Sequence, residues 1–403
     1  MTTHDAATEP FLDLYGADFL ADPQDVLSGL RERDWHAGTA IGTAVLRYDE
    51  VQALLGDRRL RTPGADFLAM QGITSGPLVD TMRGFLLNTD GEPHNRVRRL
   101  VSKAFTVRRV EDYRTTVRRI AGELVDAMAE REECDFVEAF ADPFALRALC
   151  GFVGIPVDVQ VQVRDWTTDI GLIFGFSVAE HSARIEAALD NLHAFIDELL
   201  AERRAVPRDD LLSALVAAEE AGDLLTDAEL RSLVITLMSA GHGTVMHQLG
   251  NAMAAFMAHP DQWRLLAEDP TLAARAAEEV VRFSPAALLG LPRIASSDVE
   301  LHDLRFAAGS CVLPITGSAN RDRLAFPDAD RFDITRQGRA HLTYGGGIHY
   351  CLGAALARVQ LQEALPLLAS RLLDPRPAGP AEWLPPTEAV YGPVRLPIRY
   401  GRR

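Results

Sequence analysis

The chain has 403 residues, of which 47% are hydrophobic and 24% are charged, as expected for a globular protein with a large core. Its formal net charge of −16 argues against extensive nucleic-acid binding. The N-terminal segment lacks the basic region and apolar run of a signal peptide or membrane anchor, so we expect a cytoplasmic protein without membrane contact. Four cysteines match no zinc-binding spacing and are too few for a disulfide scaffold: Cys134, Cys150, Cys311 and Cys351.

Helical periodicity dominates the chain. In GEPHNRVRRLVSKAF, His94 and Arg98 lie four residues apart on one predicted helical face, which is either an ordinary solvated surface or a pair of donors for an anionic ligand. A helix is predicted over residues 111–130, where four apolar residues share a face: Val117, Ile120, Leu124 and Met128.

A much longer helix is predicted to open at Thr226, which has the spacing of a capping box with Glu229. It runs to the residue before Pro260, about 33 residues or roughly 50 Å at 1.5 Å per residue, and would cross a whole domain. Residues 240–244, Ala-Gly-His-Gly-Thr, lie in its middle. Two glycines inside a helix cost about 1 kcal/mol each relative to alanine, so either close helix packing or contact with a flat cofactor should compensate.

The last third of the chain mixes one further helix with short strands. The helix is predicted over residues 271–283, where Glu279 and Arg282 face each other as either a surface ion pair or a structural contact. Strand-like segments occupy residues 293–301 and 311–317, and residues 319–336 are predicted to be irregular because they are rich in Pro, Asp and Arg. We therefore predict one mostly helical domain over residues 1–403, with a small β region.

The stretch HLTYGGGIHYCLGAALARVQ, which begins at His341, places three glycines shortly before Cys351 and an amphipathic run directly after it. Glycines permit unusual backbone conformations and the close approach of a flat surface. Backbone N–H groups at the start of the following helix would favour a thiolate over a thiol. This pattern indicates an axial metal ligand beneath a planar cofactor. Pro366 is predicted to end or kink the helix.

These patterns together resemble the cytochrome P450 family, in matching order from about Gly91 to Gly353. The family's Phe-x-x-Gly-x-x-x-Cys-x-Gly loop matches at Gly347, Cys351 and Gly353, with Tyr344 in place of the phenylalanine. The resemblance implies a mainly α P450 fold with a small β region, in which haem lies between the long central helix and the helix after the cysteine loop.

The Glu-x-x-Arg motif of the family matches at Glu279 and Arg282. The resemblance implies that this pair is buried, that it meets a second arginine from the irregular segment, and that its role is structural. Arg331 stands where that second arginine is expected.

The centre of the long helix is similar to the oxygen-binding groove of the family, Ala/Gly-Gly-x-Asp/Glu-Thr. Ala240, Gly241 and Thr244 match, but Gly243 replaces the acid. In the family, the acid and the alcohol help to route protons to bound oxygen. Without the carboxylate, the relay requires water, the substrate or a neighbouring side chain, for which His247 and Gln248 are weak candidates.

The resemblance also implies the haem ligands. Four donors from distant segments would bind the propionates of haem b: His94, Arg98, Arg293 and His349. Arginine suits carboxylates because its planar fork donates two hydrogen bonds. Cys351 would bind the iron, and Tyr344 and Gly353 would complete the loop around it.

By the same resemblance, the substrate pocket draws on several segments of the chain. Its predicted lining is Met82, Leu86, Phe174, Phe176, Leu237, Met238, Ala286, Ala287, Leu288, Leu289, Val390 and Tyr391. This mostly aliphatic set fits a medium-sized, largely apolar ligand, although each residue could equally belong to the core.

The implied activity is a haem-thiolate monooxygenase that hydroxylates or epoxidises a largely apolar natural-product intermediate with O2. The chain has no flavin or dinucleotide fingerprint, so electrons would come from a separate ferredoxin or flavodoxin-type donor with its reductase. A basic cluster could dock such a donor to a monomeric enzyme: Arg98, Arg99, Lys103, Arg108 and Arg109. Alternatives are oxidative coupling, desaturation or ring formation, a peroxide-driven reaction, and a non-enzymatic haem protein.

Overall fold

A computed structural model describes residues 10–69, 71–174, 178–220 and 225–402 of the chain. Most of these residues form helices, and a smaller part forms short strands. The α-helices are α1 Ala17–Ala21, α2 Pro23–Arg33, α3 Tyr48–Gly56, α4 Asp66–Ala69, α5 Pro77–Gly84, α6 Gly91–Ala104, α7 Val107–Ala129, α8 Asp142–Val153, α9 Gln160–Gly171, α10 Val178–Ala205, α11 Leu211–Glu220, α12 Asp227–Gly241, α13 Gly243–Ala258, α14 Pro260–Glu268, α15 Ala273–Phe283, α16 Thr316–Ala319 and α17 Ala354–Arg371.

The strands are β1 His36–Thr39, β2 Gly42–Val45, β3 Leu60–Arg61, β4 Glu133–Asp135, β5 Arg293–Ala295, β6 Val299–Leu301, β7 Leu304–Phe306, β8 Cys311–Pro314, β9 Leu372–Pro377, β10 Glu382–Trp383, β11 Pro393–Arg395 and β12 Pro397–Arg402. The largest sheet has the order β1-β2-β8-β5-β3, and only its β2–β8 pair is parallel. In that sheet Arg293 lies opposite Val312, which fixes the buried guanidinium at the start of β5.

The helices pack around one large apolar cluster. α17 lies along α7 and also contacts α14 and α15, while α15 contacts α13, so α15 connects the central helix to the helix that follows Cys351. Stacked phenylalanines fill the core before α8, with ring centroids 5.5 Å apart for Phe136 and Phe140 and 5.2 Å apart for Phe140 and Phe144. Within the described ranges, no helix combines the length and apolar character needed to cross a bilayer.

The long central helix is interrupted, contrary to the sequence prediction. The capping box of Thr226 and Glu229 is present, but α12 ends at Gly241 and α13 begins at Gly243. Thr244 Oγ1 donates to the Ala240 carbonyl over 2.7 Å, a type of contact that competes with the helical ladder and bends helices. Flanking glycines with low helix propensity leave the turn at His242 without intrinsic support.

Pro366 does not end α17, which continues to Arg371. Of the two predicted outcomes, a helix end or a kink, the helix end does not occur, because packing against α7, α14 and α15 stabilises the helix on both sides of the missing donor. The start of α7 also differs from the prediction. It begins at Val107, where Thr106 caps it by accepting from the Arg109 N–H at 3.1 Å.

Candidate active site

The cysteine loop joins the irregular segment to α17. Gly345 and Gly347 have φ angles of 72° and 61°, a region that favours glycine, and the Cys351 N–H closes the loop on the Tyr344 carbonyl at 2.8 Å. A Cβ on Gly347 would lie 2.5 Å from the Leu55 carbonyl oxygen of α3. The unusual backbone conformations predicted for these glycines are thus present, and close approach to α3 is one further reason for Gly347.

Cys351 lies three residues before the start of α17. Burial raises the pKa of its thiol, and the backbone N–H groups of Gly353 and Ala354, with the charges of Arg98 and Arg358, oppose that effect only in part. The N–H groups at the helix start thus favour the thiolate, in the direction predicted from the sequence, but burial has the larger effect on the pKa. Cys351 is exposed, whereas Cys150 is buried. The Cys351 thiol is surrounded by protein but borders accessible space. A bound metal ion would deprotonate such a thiol.

Tyr344 packs beneath the cysteine loop in a polar cluster. The Arg358 guanidinium lies 4.5 Å from the centre of its ring, and the His341 ring lies 4.9 Å away. Arg358 also donates to Glu278 at 2.6 Å. Burial would raise the pKa of Glu278, but His341, whose Nε2 lies 3.5 Å from the carboxylate, and the hydrogen bonds from Arg358 lower it to about 2. The Tyr344 ring is therefore held by its contacts with Arg358 and His341.

The four predicted carboxylate-binding residues come from three elements. His94 in α6 and His349 in the cysteine loop have ring centroids 4.8 Å apart, and His349 Nε2 is 2.9 Å from Asp90 Oδ1. Arg98 Nη2 donates to the Tyr350 carbonyl at 2.7 Å. Arg293 in β5 is 4% exposed. Burial lowers the pKa of His94 and His349. The Asp90 carboxylate accepts from His349 Nε2, so a neutral His349 has no second N–H to donate.

The donor set fits haem. Among the described residues, the buried Nη1 of Arg293 has no hydrogen-bond partner, and a buried guanidinium requires an anionic one. Within the same ranges no group of three His, Cys, Asp or Glu side chains could hold a metal ion. The carboxylates of a haem bound beside Cys351 would supply the anionic partner that Arg293 lacks. Such residues suit a protein that binds haem through one cysteine.

The interrupted turn of the central helix carries the predicted oxygen-binding residues. Ala240, the next-to-last residue of α12, is exposed, and Thr244 Oγ1 donates to its carbonyl. A Cβ on Gly241 would lie 2.8 Å from Leu149 Cδ1 of α8, so the helix-packing alternative accounts for Gly241. A Cβ on Gly243 would have no neighbour within 4 Å. The position of the missing acid is thus open.

Both weak candidates for a proton relay are engaged elsewhere. His247 is 4% exposed, and its Nδ1 lies 3.1 Å from the Pro393 carbonyl. Gln248 donates to Val280 and Ser284 at 3.3 and 3.0 Å and accepts from the Ala286 N–H at 3.0 Å. Both side chains therefore hold backbone groups of neighbouring segments.

Asn251 connects two loops of the site and was not predicted from the sequence. Its Nδ2 donates to the Ser284 and Tyr391 carbonyls at 3.3 and 2.9 Å, and the Tyr391 N–H donates to the Ala286 carbonyl at 2.7 Å. Asn251 on α13 thus connects the two loops predicted to line the pocket, the one after Ser284 and the one that contains Tyr391. An asparagine in a helix interior, where it is a poor helix former, was the available signal.

Glu279 and Arg282 form a buried ion pair. Arg282 donates twice to the carboxylate, at 2.7 and 2.8 Å. The prediction that Arg331 completes the cluster is wrong: its side chain is exposed and only its carbonyl accepts from Arg282, at 3.1 Å. Arg336 is the second arginine, with Nε 3.2 Å from Glu279 Oε1. The reason is the turn around Asp333, whose N–H also donates to Glu279 and brings residue 336 inward.

This cluster also anchors the cysteine loop. Arg282 donates to the Asn320 and Ala329 carbonyls, both at 2.8 Å. Asn320 Oδ1 accepts from the Leu342 N–H at 2.7 Å, and its Nδ2 donates to Thr343 Oγ1 at 2.8 Å. A continuous set of hydrogen bonds therefore runs from α15 through the irregular segment to the loop that carries Cys351.

The predicted pocket residues divide by burial. Four are enclosed in core clusters with at most 8% exposure: Met82, Leu86, Met238 and Leu288. Ala286 is also buried, at 4% exposure. Six retain accessible surface: Phe174, Leu237, Ala287, Leu289, Val390 and Tyr391. Phe174 stacks on Phe85 with ring centroids 5.9 Å apart. Phe176 lies outside the described residues. A cavity of about 360 Å³ between residues 72–78 and α10 contains none of these residues.

Comparison with known proteins identifies the family. The "Cytochrome P450" family profile matches residues 167–372. Over 97% of this chain and 96% of its own length, the luteothin monooxygenase of Streptomyces thioluteus is 37% identical. The mycinamicin IV hydroxylase/epoxidase of Micromonospora griseorubida is also 37% identical, over 99% of this chain and 100% of its own. The crystal structure of CalO2 superposes with a TM-score of 0.91 at 31% identity, covering 97% of this chain and 99% of that one.

The chain therefore belongs to the cytochrome P450 family and is a bacterial monooxygenase with a haem-iron cofactor. Enzymes of this family oxidise small molecules with electrons from redox partners. The fold class and family predicted from the sequence are confirmed.

Proposed function

We propose that the enzyme hydroxylates or epoxidises a largely apolar natural-product intermediate, using O2, haem b and electrons from a separate protein. The observation that carries this proposal is the convergence of His94, Arg98, Arg293 and His349 on the loop that holds Cys351. Relatives named as a monooxygenase and as a hydroxylase/epoxidase support the reaction class.

The haem would supply the oxygen-activating chemistry, with Cys351 as the ligand that donates electron density to iron. Arg293 and Arg98 would hold its carboxylates through charge-assisted hydrogen bonds, and a neutral His94 ring would donate beside them. The N–H of a neutral His349 is donated to Asp90, so His349 would act beside the carboxylates through that pair. Thr244 holds its own proton on the Ala240 carbonyl, so its oxygen can accept one further hydrogen bond at the interrupted turn. Apolar side chains such as Phe174 and Leu237 would orient the substrate and exclude water.

A ligand screen tests this proposal on the purified haem protein. Apolar natural products that enter the pocket should change the spin state of the iron, and each hit should then yield an oxygenated product with 18O2 and reducing equivalents. Retention of one 18O atom in the product supports oxygen insertion. A panel of binders that all give products without 18O would contradict it.

Such products would instead support oxidative coupling, desaturation or ring formation, which the glycine at position 243 favours. A reaction without oxygen insertion can take its proton from the substrate. The variant Gly243→Glu separates the two cases, because there is open space for the added side chain. Equal turnover and coupling in variant and parent would show that the missing acid does not select the reaction.

We further propose that a ferredoxin or flavodoxin-type donor docks on the basic face around α6 and α7 of a monomeric, cytoplasmic enzyme. Arg99 is exposed. The Arg108 side chain is 91% exposed and lies 3.8 Å from Asp112, whereas Arg109 is paired more closely with Asp209, at 3.2 Å. Reversing both exposed charges, Arg99→Glu with Arg108→Glu, should slow reduction by an acidic donor at low salt. The control is Arg305→Glu in β7. Equal rates in all three proteins would contradict this docking face.

A further inference from the structure

Asp90 directly precedes α6 and has the extended backbone of a residue that caps a helix, with φ and ψ of −131° and 172°. An aspartate at this position usually accepts hydrogen bonds from N–H groups of the first helical turn. Asp22 does so before α2, where its Oδ1 accepts from the Gln24 and Asp25 N–H groups, both at 3.1 Å. Within α6, all of which the structure describes, no N–H group of the first turn donates to the Asp90 side chain. Its carboxylate therefore forgoes a stabilising contact, and another function should account for it.

The Asp90 carboxylate contacts two other segments instead. Its Oδ1 lies 2.9 Å from His349 Nε2 in the cysteine loop, and its Oδ2 accepts from Thr62 Oγ1, directly after β3, at 3.4 Å. An ionised carboxylate only accepts hydrogen bonds, so Nε2 is the donor. The His349 side chain is 7% exposed, and a hydrogen bond that is shielded from water is stronger than an exposed one. Asp90 thereby joins α6 and β3 to the loop that carries Cys351.

Two residues of the α6 region hold neighbouring residues of the cysteine loop. Asp90 binds the side chain of His349, and Arg98 donates to the Tyr350 carbonyl at 2.7 Å. These are the last two residues before Cys351. Because few backbone dihedral angles separate them from the sulfur, the position of the thiol depends on how α6 holds residues 349 and 350.

The carboxylate of Asp90 cannot itself bind the carboxylates of haem, because an ionised carboxylate has no hydrogen to donate. Its charge does act on the neighbouring donors. Burial lowers the pKa of Arg293 and of His94, and the charge of Asp90 opposes both effects. The contact that distinguishes Asp90 from these donors is therefore its hydrogen bond to the cysteine loop.

We propose that Asp90 is a positioning residue for Cys351: instead of capping α6, it binds His349 and so holds the cysteine loop in the place required for iron ligation. This inference rests on the proposed function, in which Cys351 binds the iron. Asp90 acts through His349 and forms no covalent bond, and no proton or electron is transferred.

The test follows loss of the thiolate ligand in the reduced haem protein under carbon monoxide, so no turnover is measured. The decay of the red-shifted Soret band in buffer, at one fixed elevated temperature, gives the rate of that loss. Asp90→Ala should lose the band about fivefold faster or more, because the hydrogen bond to His349 is removed. Asp90→Asn keeps an oxygen that accepts from Nε2, so it should restore the rate to within about twofold of the parent.

Asp90→Ser separates positioning from capping. Serine is a good capping residue, but its oxygen lies one bond nearer the backbone than a carboxylate oxygen and does not reach His349. This variant should keep a stable α6 and still lose the band as fast as Asp90→Ala.

Asp22→Ala is the matched control, because it removes an aspartate that does cap its own helix. It should lower the midpoint of urea denaturation and leave the decay rate of the band unchanged. A rate equal to that of the parent in Asp90→Ala or Asp90→Ser, or equal acceleration in Asp22→Ala and Asp90→Ser, would overturn the inference. If Asp90→Ala does not fold, Asp90→Ser provides the same comparison. Absence of the thiolate-type absorption band in the parent would instead indicate failure of the proposed function.

Discussion

At the scale of single residues, burial and pairing separate functional arginines from ordinary ones. Arg293 and Arg282 are 4% and 3% exposed, but Arg282 has carboxylate and carbonyl partners in the chain, whereas Nη1 of Arg293 has none among the described residues. A buried donor without a partner is costly. Arg293 is therefore the residue whose environment depends most on a bound anion.

We predict that Arg293→Ala weakens haem binding by about tenfold or more, since a hydrogen bond to a charged group contributes about 1.5–3 kcal/mol. The measurement is the rate of haem transfer to excess apomyoglobin. Arg305→Ala, at an exposed arginine of β7, is the control and should leave the rate unchanged. Equal transfer rates for parent and Arg293→Ala would show that Arg293 does not hold the cofactor.

At the scale of elements, the irregular segment is organised by Glu279 and its two arginines. We predict that Arg336→Ala lowers the free energy of unfolding by about 1–3 kcal/mol, because a buried carboxylate loses a charge-assisted partner. Arg331→Ala, five residues away and exposed, should leave it nearly unchanged. Urea denaturation measures both. The reverse ranking of the two variants would restore the sequence prediction for Arg331.

The sequence was sufficient for some features of these elements and not for others. The capping box at Thr226 was predictable because both of its partners lie within one turn. The interruption at His242 was not, because it depends on a side-chain bond of Thr244 and on packing of Gly241 against Leu149. The choice of Arg336 over Arg331 likewise depends on a turn in an irregular segment, which no periodicity specifies.

At the scale of the whole molecule, α13 joins the C-terminal loops to the core, and His247 is part of that connection. Burial lowers the pKa of His247 to about 4, an effect that the hydrogen bond to Pro393 opposes and the neighbouring His242 reinforces. An unfolded histidine titrates near about 6.5. As pH falls below that value, the unfolded chain binds a proton that the folded chain accepts only near pH 4. The stability contributed by neutral His247 is thus complete above about pH 6.5 and is lost between these two values.

We predict that the parent loses up to about 1.4 kcal/mol of stability per pH unit from this residue across that window. His247→Asn keeps a donor for Pro393 but does not titrate, so its unfolding free energy should fall less between pH 7 and 5.5. Urea denaturation at the two pH values gives the difference. Because His94 and His349 are present in both proteins, a parallel decline in parent and variant would exclude His247 as the source.

The overall architecture followed from the order of motifs, since a chain with these spacings folds in one known way. The site required tertiary information: Asp90, Asp142 and Asn251 contact His349, His242 and Tyr391 across 100 or more residues of sequence. Burial also decided which predicted pocket residues retain accessible surface. Local sequence patterns predict which residues belong to the site, and tertiary packing determines the partner that each of them contacts.

The central claim is that the sulfur of Cys351 binds the haem iron. The most direct measurement is the absorption spectrum of the reduced protein under carbon monoxide. The parent, and the control Cys150→Ala, should give the red-shifted Soret band of a thiolate-ligated haem. Cys351→Ala should lose that band while the polypeptide remains folded by circular dichroism. A band that persists in Cys351→Ala would contradict the assignment of the iron ligand and the function proposed from it.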